Sequence, residues 1–470
     1  MDGCNPSLPL YCILSAMSTI TSRNPYTNEI NANFETLSNE ELDTVIAKAH
    51  TAYVTRKDTP RAEKKRLMLR LADVLEQDID ACAKLETIEM GRLYGVAVKG
   101  MQWTVNLIRR NANNFESILA NETITSEWLT GHIQYDPLGV IYGIAPWNFP
   151  FNQLLRAAVP NILAGNTVIY KHASNVPLCG QKIGELFAQA GFPEWVYTNI
   201  FISSSQSEQI IAHPAVAGVN LTGGEKAGSV IGSLAGKYLK PSVLELGGND
   251  AFLVLDHADT DAMVAQAVAC RISNGGQRCN SSKRFIVLEK YYDAFCTKMA
   301  DYMSKLIIGD PMDPSTQISS LATASLVQEI HAQVTTSIAQ GAKCLTGWVI
   351  LDETRNIYAP TVLADVDATM TSYQEEVFWP VASIIRSSSI DESIAIANHN
   401  DLALSAAVFG DDVEQCRQVA TRLEWGMIFI NQAPWSKASL PMGWVKKSGY
   451  GKENGPDGLK SFTNRKVVLY

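Results

Sequence analysis

The 470-residue sequence has no excess of positive charge, no long apolar run and no internal repeat. Its 39 Lys and Arg are outnumbered by 48 Asp and Glu, and the net charge is -9. An acidic surface repels phosphate backbones and anionic lipids, so we expect neither nucleic acid nor a membrane as a partner. A bilayer span needs about 18 consecutive apolar residues, and no stretch of this sequence reaches that length.

The cysteines form no C-x-x-C pair, and their number is odd. A disulfide framework uses an even set of cysteines, and zinc sites use closely spaced pairs. The sequence therefore indicates reduced thiols in a cytoplasmic protein, and no metal site. The nine cysteines are Cys4, Cys12, Cys82, Cys179, Cys270, Cys279, Cys296, Cys344 and Cys416.

Lys and Arg are also missing from residues 1–16, although residues 8–14 are apolar. A signal peptide begins with positive charge and a mitochondrial presequence is rich in Arg, so the sequence indicates neither. Met17 follows directly and offers another start. We therefore expect residues 1–16 to be an artefactual or disordered extension.

The overall pattern is that of a globular α/β protein. Hydrophobic residues make up 46% and charged residues 19% of the chain, and the length predicts two or three domains. Residues 40–119 have the spacing of amphipathic helices. Short β-rich runs alternate with helical stretches from Val140, and a second alternation begins at Ser242. This alternation predicts parallel sheets covered by helices, one of them Rossmann-like.

Three motifs supply the residue types that oxidise an aldehyde through a thioester. They are GGQRCNS at 275–281, LELGGND at 244–250 and PWNFP at 146–150. A thiolate adds to the aldehyde carbon, amide donors stabilise the oxyanion, and a carboxylate activates water to hydrolyse the thioester. We expect Cys279 as the nucleophile, Glu245 as the base and Asn148 as the oxyanion donor. Taken singly, each also fits a structural role, since a lone Cys is more often a small buried hydrophobe.

These motifs and four others resemble those of the aldehyde dehydrogenase superfamily, in the family's order from about Asn24 to the C-terminus. The others are AGNTVIYKHAS (164–174), LTGG (221–224), EEVFWP (375–380) and VKKSGYGKE (445–453). The string YKHASNVP and the chain length are most similar to the bacterial NAD(P)-dependent succinate-semialdehyde dehydrogenase branch. The resemblance implies the aldehyde dehydrogenase fold, with a Rossmann-like cofactor domain, an α/β catalytic domain and a small β oligomerisation arm.

The resemblance also implies the domain boundaries. We expect the cofactor-binding domain to comprise residues 17–123 and 137–241, and the catalytic domain residues 242–440. The arm would combine residues 124–136 with residues 455–470, so that the β-prone end of the chain joins a hairpin. Such an arm implies a homodimer or a homotetramer.

A nicotinamide cofactor, NADP or NAD, is implied by the same resemblance. Lys171 and Ser174 would hold the adenosine ribose beyond the end of a strand. A carboxylate at the position of Ser174 favours NAD in relatives, because it repels a 2′-phosphate. A neutral Ser174 beside the cationic Lys171 therefore predicts that NADP is accepted. As an alternative, Ser174 caps a helix and says nothing about selectivity.

Further cofactor contacts follow from the other motifs. Thr222, Gly223 and Gly224 precede a helical stretch whose N–H groups could meet the pyrophosphate, although no G-x-G-x-x-G occurs there and Gly224 replaces the family's usual Ser. The resemblance implies that Trp147 flanks the cofactor. It also implies that Glu376 and Phe378 position the nicotinamide ribose and ring. Taken alone, Trp147 or Phe378 would also fit a core position.

Two arginines are candidates for the substrate carboxylate. Arg156 matches an arginine that binds this group in related succinate-semialdehyde dehydrogenases. Arg278 precedes Cys279 and could both bind the carboxylate and lower the pKa of the thiol, or it could form an outward salt bridge. A further arginine of some relatives would fall at Ser273, where it is absent. We expect oxidation of succinate semialdehyde, or a similar small carboxylated aldehyde, to the acid.

Alternative functions remain open at this stage. The string GQRC also occurs in non-phosphorylating glyceraldehyde-3-phosphate dehydrogenases, and dehydrogenases of other aldehydes share the same catalytic residues. A CoA-acylating relative needs no hydrolytic base, so Glu245 argues against it. A catalytically silent binding or structural member of the family is the alternative of a different class, and the presence of Cys279 and Asn148 argues against that reading too.

Three tryptophans stand where relatives have glycine: Trp348, Trp379 and Trp444. An indole clashes where glycine serves a close approach or a positive φ, at a cost of several kcal/mol. The alternative is drift at tolerant loops. We hypothesise that the three are translation artefacts, because some bacteria read UGA as glycine.

Overall fold

The computed structural model describes residues 19–256 and 260–470. The predicted extension at residues 1–16, and residue 259, where a helix is predicted to start, lie outside these ranges. Helices and strands are numbered in chain order. The helices are α1 (Asn39–Arg56), α2 (Arg61–Gln77), α3 (Ile79–Met90), α4 (Tyr94–Ile118), α5 (Pro150–Ala164), α6 (Pro177–Gln189), α7 (Ser207–Ala212), α8 (Glu225–Lys237), α9 (Thr260–Ile272), α10 (Glu289–Ser304), α11 (Ala324–Ala339), α12 (Thr371–Gln374), α13 (Ile390–Asn398), α14 (Val413–Arg422) and α15 (Gly455–Lys460).

The strands occur in three larger sheets and three short pairs. They are β1 (Thr19–Arg23), β2 (Ile30–Glu35), β3 (Glu122–Thr125), β4 (Thr130–Pro137), β5 (Val140–Ala145), β6 (Thr167–His172), β7 (Tyr197–Ile200), β8 (Val216–Thr222), β9 (Ser242–Glu245), β10 (Ala251–Val254), β11 (Arg284–Leu288), β12 (Lys343–Thr346), β13 (Ile350–Asp352), β14 (Ile357–Tyr358), β15 (Thr361–Ala364), β16 (Val381–Ser387), β17 (Leu402–Ala403), β18 (Ser405–Phe409), β19 (Met427–Ile430), β20 (Val445–Lys446), β21 (Gly449–Tyr450) and β22 (Thr463–Leu469).

The first large sheet has the order β21-β9-β8-β5-β6-β7, and its pairs are parallel except β21 with β9. Helices cover both faces, because alternate residues of a strand point to opposite sides. Val140 and Tyr142 pack with apolar residues of α1, α7 and α8, whereas Ile141 packs with those of α2 to α6. The predicted Rossmann-like sheet is therefore confirmed.

The second large sheet has the order β12-β15-β16-β11-β10-β18-β19, and only β12 runs antiparallel to its neighbour. Its central strands β10 and β11 are wholly buried and apolar except for Arg284, which is typical of a parallel sheet covered on both faces. The α/β fold class is confirmed by these two sheets. No helix within the described ranges is long and apolar enough to cross a membrane.

Two features bear on the predicted domains. The end of the chain, β22, pairs antiparallel with β4 of the hairpin β3–β4, as the resemblance implies for the arm. The strand β9 lies just past the boundary predicted at residue 242, yet it is hydrogen-bonded to β8 of the first sheet. The boundaries themselves and the role of the arm in oligomerisation stay predictions.

Candidate active site

The loop that carries Cys279 follows the end of α9. Residues Ser273–Gly276 form a 3-10 turn in which Asn274, Gly275 and Gly276 have φ values of 54°, 61° and 71°. At Gly276 a Cβ atom would lie 2.5 Å from the backbone nitrogen of Pro380, so only glycine fits. The glycines of the motif therefore let the chain turn sharply and pack against the segment at residues 375–380.

Arg271, in the last turn of α9, stabilises this loop through hydrogen bonds. It was not predicted as a site residue. It is fully buried, and its guanidinium donates to Ser281 Oγ and Ser282 O, each at 3.0 Å, and to Val377 O at 3.0 Å. Burial lowers the pKa of Arg271 to about 9. A charged residue among the buried positions of α9 is the signal that could have revealed it, since a buried arginine must find acceptors.

Cys279, Glu245 and Asn148 lie together at the ends of elements from both sheets. Glu245 is the last residue of β9 and is fully buried, and Cys279 Sγ donates to its Oε1 at 3.2 Å. Asn148 is buried, and its Nδ2 donates to Gln277 O at 3.1 Å, two residues before the thiol. The arrangement brings a nucleophile, a proton acceptor and an amide donor to one place.

The electrostatics of this group keep the thiol protonated. Burial raises the pKa of Cys279 well above its usual value, and the neighbouring Glu245 raises it further, whereas Lys283 and Arg156 lower it. Burial also raises the pKa of Glu245, against the effect of Arg156. Formation of the thiolate therefore depends on the cations around it.

Arg156 lies between two buried carboxylates of the protein. Its guanidinium pairs with Glu245 and with Glu453, and Nη1 lies 3.1 Å from Met442 Sδ. Glu453, from the late motif, also accepts from Asn220 Nδ2 at 3.1 Å. The sequence analysis assigned Arg156 to a substrate carboxylate and did not foresee these partners. The substrate role of Arg156 stays a prediction.

Arg278, the residue before the nucleophile, lines a pocket of about 360 Å³. Its Nε donates to Asn280 Oδ1 at 2.6 Å, Nη1 to Ser273 Oγ at 3.2 Å and Nη2 to Pro434 O at 3.0 Å. These partners are all neutral. The pocket is lined by Ala269, Cys270, Ser273, Arg278, Asn280, Gln432, Ala433, Pro434 and Trp435.

Lys283 is a second residue that the sequence analysis missed. It precedes β11 and is almost fully buried, and its ammonium donates to the backbone carbonyls of Arg278 at 3.0 Å and of Cys279. It also forms an ion pair with Glu376 Oε1 at 2.9 Å. The charged pair at 283–284, directly before the apolar run at 285–288, is the signal that could have revealed it.

The predicted cofactor residues line the same edge of the first sheet. Lys171 lies near the end of β6, Thr222 ends β8, and Gly224 is the N-cap of the thirteen-residue helix α8. A Cβ at Gly224 would meet open space, so the helix N-terminus is accessible to an anion. Ser174 is exposed two residues past β6. The backbone N–H of Gly223 already donates to Glu245 O at 3.0 Å.

The remaining three predicted cofactor residues form a group near Cys279. The rings of Trp147 and Phe378 meet edge to face, with centroids 5.6 Å apart. Glu376 Oε1 is buried, and its partner among the described residues is the ammonium of Lys283. A carboxylate with further lone pairs fits a ligand that carries hydroxyl groups, and the accessible N-terminus of α8 fits its phosphates.

Comparison with known proteins gives a consistent result. Residues 13–468 match the model of the aldehyde dehydrogenase family. The chain is 39% identical over 445 residues to a protein of Deinococcus radiodurans named succinate-semialdehyde dehydrogenase [NADP(+)], covering 95% of this chain and 93% of that protein. A protein of Mycobacterium tuberculosis named succinate-semialdehyde dehydrogenase [NADP(+)] 1 is 39% identical over 452 residues, covering 96% of this chain and 99% of that protein.

Solved structures match over nearly the whole chain as well. Succinic semialdehyde dehydrogenase from Streptococcus pyogenes, in complex with NADP+, has a TM-score of 0.94 at 35% identity, covering 96% of this chain and 99% of that one. Betaine aldehyde dehydrogenase from Staphylococcus aureus, in complex with NAD+, has a TM-score of 0.93 at 27% identity, covering 96% and 91%.

Proposed function

The chain belongs to the aldehyde dehydrogenase family, and on this premise we propose that it oxidises succinate semialdehyde, or a similarly small carboxylated aldehyde, to the acid with NADP or NAD. The observation that carries the proposal is the contact between Cys279 Sγ and Glu245 Oε1 at 3.2 Å, with Asn148 beside it. The names of the relatives that are 39% identical support the substrate.

In the first step Cys279 Sγ bonds to the aldehyde carbon, and the thiol proton passes to Glu245. The carbonyl oxygen becomes an oxyanion, which the Asn148 side chain and the backbone N–H of Cys279 stabilise. A bound oxidised nicotinamide, held by the residues named above, would supply the acceptor for the hydride that the adduct loses on becoming a thioester. Glu245, after losing its proton to solvent, removes a proton from the water that hydrolyses the thioester.

Arg278 is our candidate for the carboxylate of the substrate. Its guanidinium has only neutral partners among the described residues, so its charge is not compensated. One of these partners is Ser273, the position at which some relatives carry another arginine. A carboxylate bound by Arg278 would hold the substrate close to Cys279, the next residue of the chain. Arg156 is the second candidate, although two carboxylates of the protein already pair with it.

Lys171 and Ser174 support the use of NADP. No carboxylate stands at Ser174, and burial lowers the pKa of Lys171, as expected for a cation without a charged partner. A 2′-phosphate would supply that partner. Measurement of kcat/KM with both cofactors tests this point, and a strong preference for NAD would contradict it.

A substrate panel tests the proposed function as a whole. We expect kcat/KM for succinate semialdehyde to exceed the values for glyceraldehyde 3-phosphate and for uncharged aliphatic aldehydes. The reverse order would favour the alternative dehydrogenases.

Cys279→Ala should abolish oxidation of every aldehyde while cofactor binding persists. An active Cys279→Ala variant would refute the catalytic assignment.

We also propose a cytoplasmic homodimer or homotetramer. The seven cysteines within the described ranges are all free, which suits a reducing compartment. Exposed apolar side chains on the arm support association of copies, namely Trp128, Leu129, Val467, Leu469 and Tyr470.

A further inference from the structure

Lys283 connects the nucleophile to the residue expected at the nicotinamide ribose. Its ammonium contacts the backbone carbonyl of Cys279 and the carboxylate of Glu376 at once. We propose that Lys283 is a positioning residue that transmits cofactor binding to Cys279. Glu376 neutralises the lysine in their ion pair; ribose hydroxyls that bind this carboxylate would draw it away from Nζ, and the less compensated ammonium would then act more strongly on the sulfur. This inference rests on the proposed function, because it assumes that Glu376 binds the cofactor.

The lysine itself is held rigidly. Its backbone N–H donates to Asp250 O at 2.9 Å, and its carbonyl accepts from Ser383 N at 3.0 Å, so it is fixed between the ends of β10 and β16. The side chain is 1% exposed and donates to two carbonyls of the nucleophile loop. A change in its electrostatic effect must therefore come from its partners rather than from its own movement.

Glu376, by contrast, can exchange partners. Its side chain is 18% exposed, and Oε1 forms the ion pair with Lys283 but lacks a well-aligned hydrogen bond from any described residue. The other oxygen passes close to Gly247, where a Cβ would lie 2.5 Å from it. The carboxylate thus lies in a slot that glycine keeps open, with the lysine on the buried side and an accessible edge on the other.

An exchange of partners at Glu376 would change the electrostatic effect of Lys283 on the Cys279 sulfur. The charged and titratable groups that act on Cys279 are Glu245, Arg156, Arg278 and Lys283, and those that act on Lys283 include Glu376 and Asp250. Glu245 raises the pKa of Cys279 and Lys283 lowers it. Since Arg156 is paired with two carboxylates, Lys283 is the cation whose compensation depends on a residue of the cofactor site.

Alkylation of Cys279 measures this coupling without any substrate. Iodoacetamide is uncharged and reacts with the thiolate, so its rate against pH gives the pKa of the thiol, and mass spectrometry of the digest identifies the modified residue. We expect saturating NADP+ to shift the profile of the wild-type protein to lower pH. A charge at a distance of about 4–6 Å shifts a pKa by about 1–3 units, so the rate at pH 7 should rise about tenfold or more.

Variants of Lys283 and of Glu376 test the role of each residue separately. Lys283→Met should slow alkylation about tenfold and remove the response to NADP+, at concentrations that saturate the variant by fluorescence titration. Lys283→Arg should restore both. Glu376→Gln should accelerate alkylation without cofactor, and NADP+ should then add little. Lys305→Met, which removes an exposed lysine paired with Asp301, is the matched control and should behave as wild type.

A wild-type profile that NADP+ does not shift, or an undiminished response in Lys283→Met, would overturn the inference. So would a Glu376→Gln variant whose alkylation without cofactor is as slow as that of the wild type, and this test holds even if Lys283→Met does not fold. Failure of the proposed function looks different: alkylation would respond to NADP+ as expected, but the protein would not oxidise succinate semialdehyde.

Discussion

Arg156 and Arg278 are both close to the thiol, but their surroundings differ in charge. Arg156 is paired with Glu245 and Glu453, whereas Arg278 has neutral partners among the described residues. A buried ion pair is a poor receptor for another carboxylate, because its charge is already compensated. The two arginines should therefore affect different steps of the reaction.

We expect Arg278→Met to lower kcat/KM for succinate semialdehyde about 10- to 100-fold, mainly through KM, because a charge-assisted hydrogen bond is lost. Its activity towards butanal, which lacks a carboxylate, should change little.

Arg156→Met should lower kcat for both aldehydes and destabilise the protein by about 3–5 kcal/mol, since two buried carboxylates lose their cation. Steady-state kinetics with both aldehydes and thermal unfolding measure these effects. A selective loss of succinate semialdehyde binding in Arg156→Met would restore that residue as the carboxylate ligand.

The tryptophans at glycine positions behave differently from one another. Trp348 has a φ of 61°, in the left-handed region that costs a non-glycine residue about 1–3 kcal/mol. A clash is expected at Trp379, but this side chain fits into the core. Its indole is fully buried and Nε1 donates to Tyr358 O at 3.1 Å. Trp444 is buried with its Nε1 unpaired within the described ranges.

Intact mass of the protein isolated from its natural source tests the translation hypothesis. Each of Trp348, Trp379 and Trp444 that is glycine in the protein should lower the mass by about 129 Da relative to the written sequence. Peptide mapping then assigns each position. A mass equal to that of the written sequence would end the hypothesis and leave Trp348 as a strained residue.

At the scale of elements, α6 depends on a residue of another helix. Glu89 of α3 is buried, and its carboxylate accepts the backbone N–H groups of Leu178 at 2.9 Å and Cys179 at 2.8 Å in the first turn of α6. The helix has no side-chain cap of its own in the described structure. A carboxylate at a helix N-terminus satisfies free donors and interacts favourably with the helix dipole.

Glu89→Ala should therefore lower the free energy of unfolding by about 2–4 kcal/mol, because two buried N–H groups lose their acceptor. Urea unfolding monitored by circular dichroism measures the change. Glu185→Ala, which removes a half-exposed glutamate of α6, is the matched control and should change stability by less than about 0.5 kcal/mol. Equal effects of the two substitutions would show that Glu89 does not cap the helix.

At the scale of the whole molecule, the antiparallel sheet β3–β4–β22 carries apolar side chains that face solvent. Val467 and Leu469 are 56% and 51% exposed, and both lie on one face of β22, since they are two residues apart. We expect a second copy of the chain to cover this face. Light scattering should give a dimer or tetramer for the wild type and a smaller particle for the double variant Val467→Asp/Leu469→Asp.

Val54→Asp provides the control for this experiment. Val54 is 53% exposed on α1, outside the arm, so an added charge there should leave the mass of the particle unchanged. An unchanged mass in the double variant would contradict the role of the arm. Loss of assembly in both variants would point to a general effect of added charge.

The sequence alone predicted the fold class, most of the elements of the first sheet and three residues, Cys279, Glu245 and Asn148, that the structure brings together. Periodicity is local, so α5 and β11 follow from their own residues, and the glycines beside Cys279 and Glu245 mark close approaches without any coordinates. The sequence pattern did not predict α11 or the strands β12 to β15, of which β13 and β14 have only three and two residues.

Only the tertiary structure decided which charges meet. Glu245 ends a strand of the first sheet, and Lys283 precedes a strand of the second. Arg156 of α5 pairs with Glu453, and Lys283 pairs with Glu376, because the packing of the helices and sheets brings distant segments of the chain together. Such ion pairs join residues that are far apart in the chain. A buried charged side chain pairs with the group of opposite charge that the packing places near it. For this reason the residue types of the site can be predicted from the sequence, whereas their electrostatic coupling cannot.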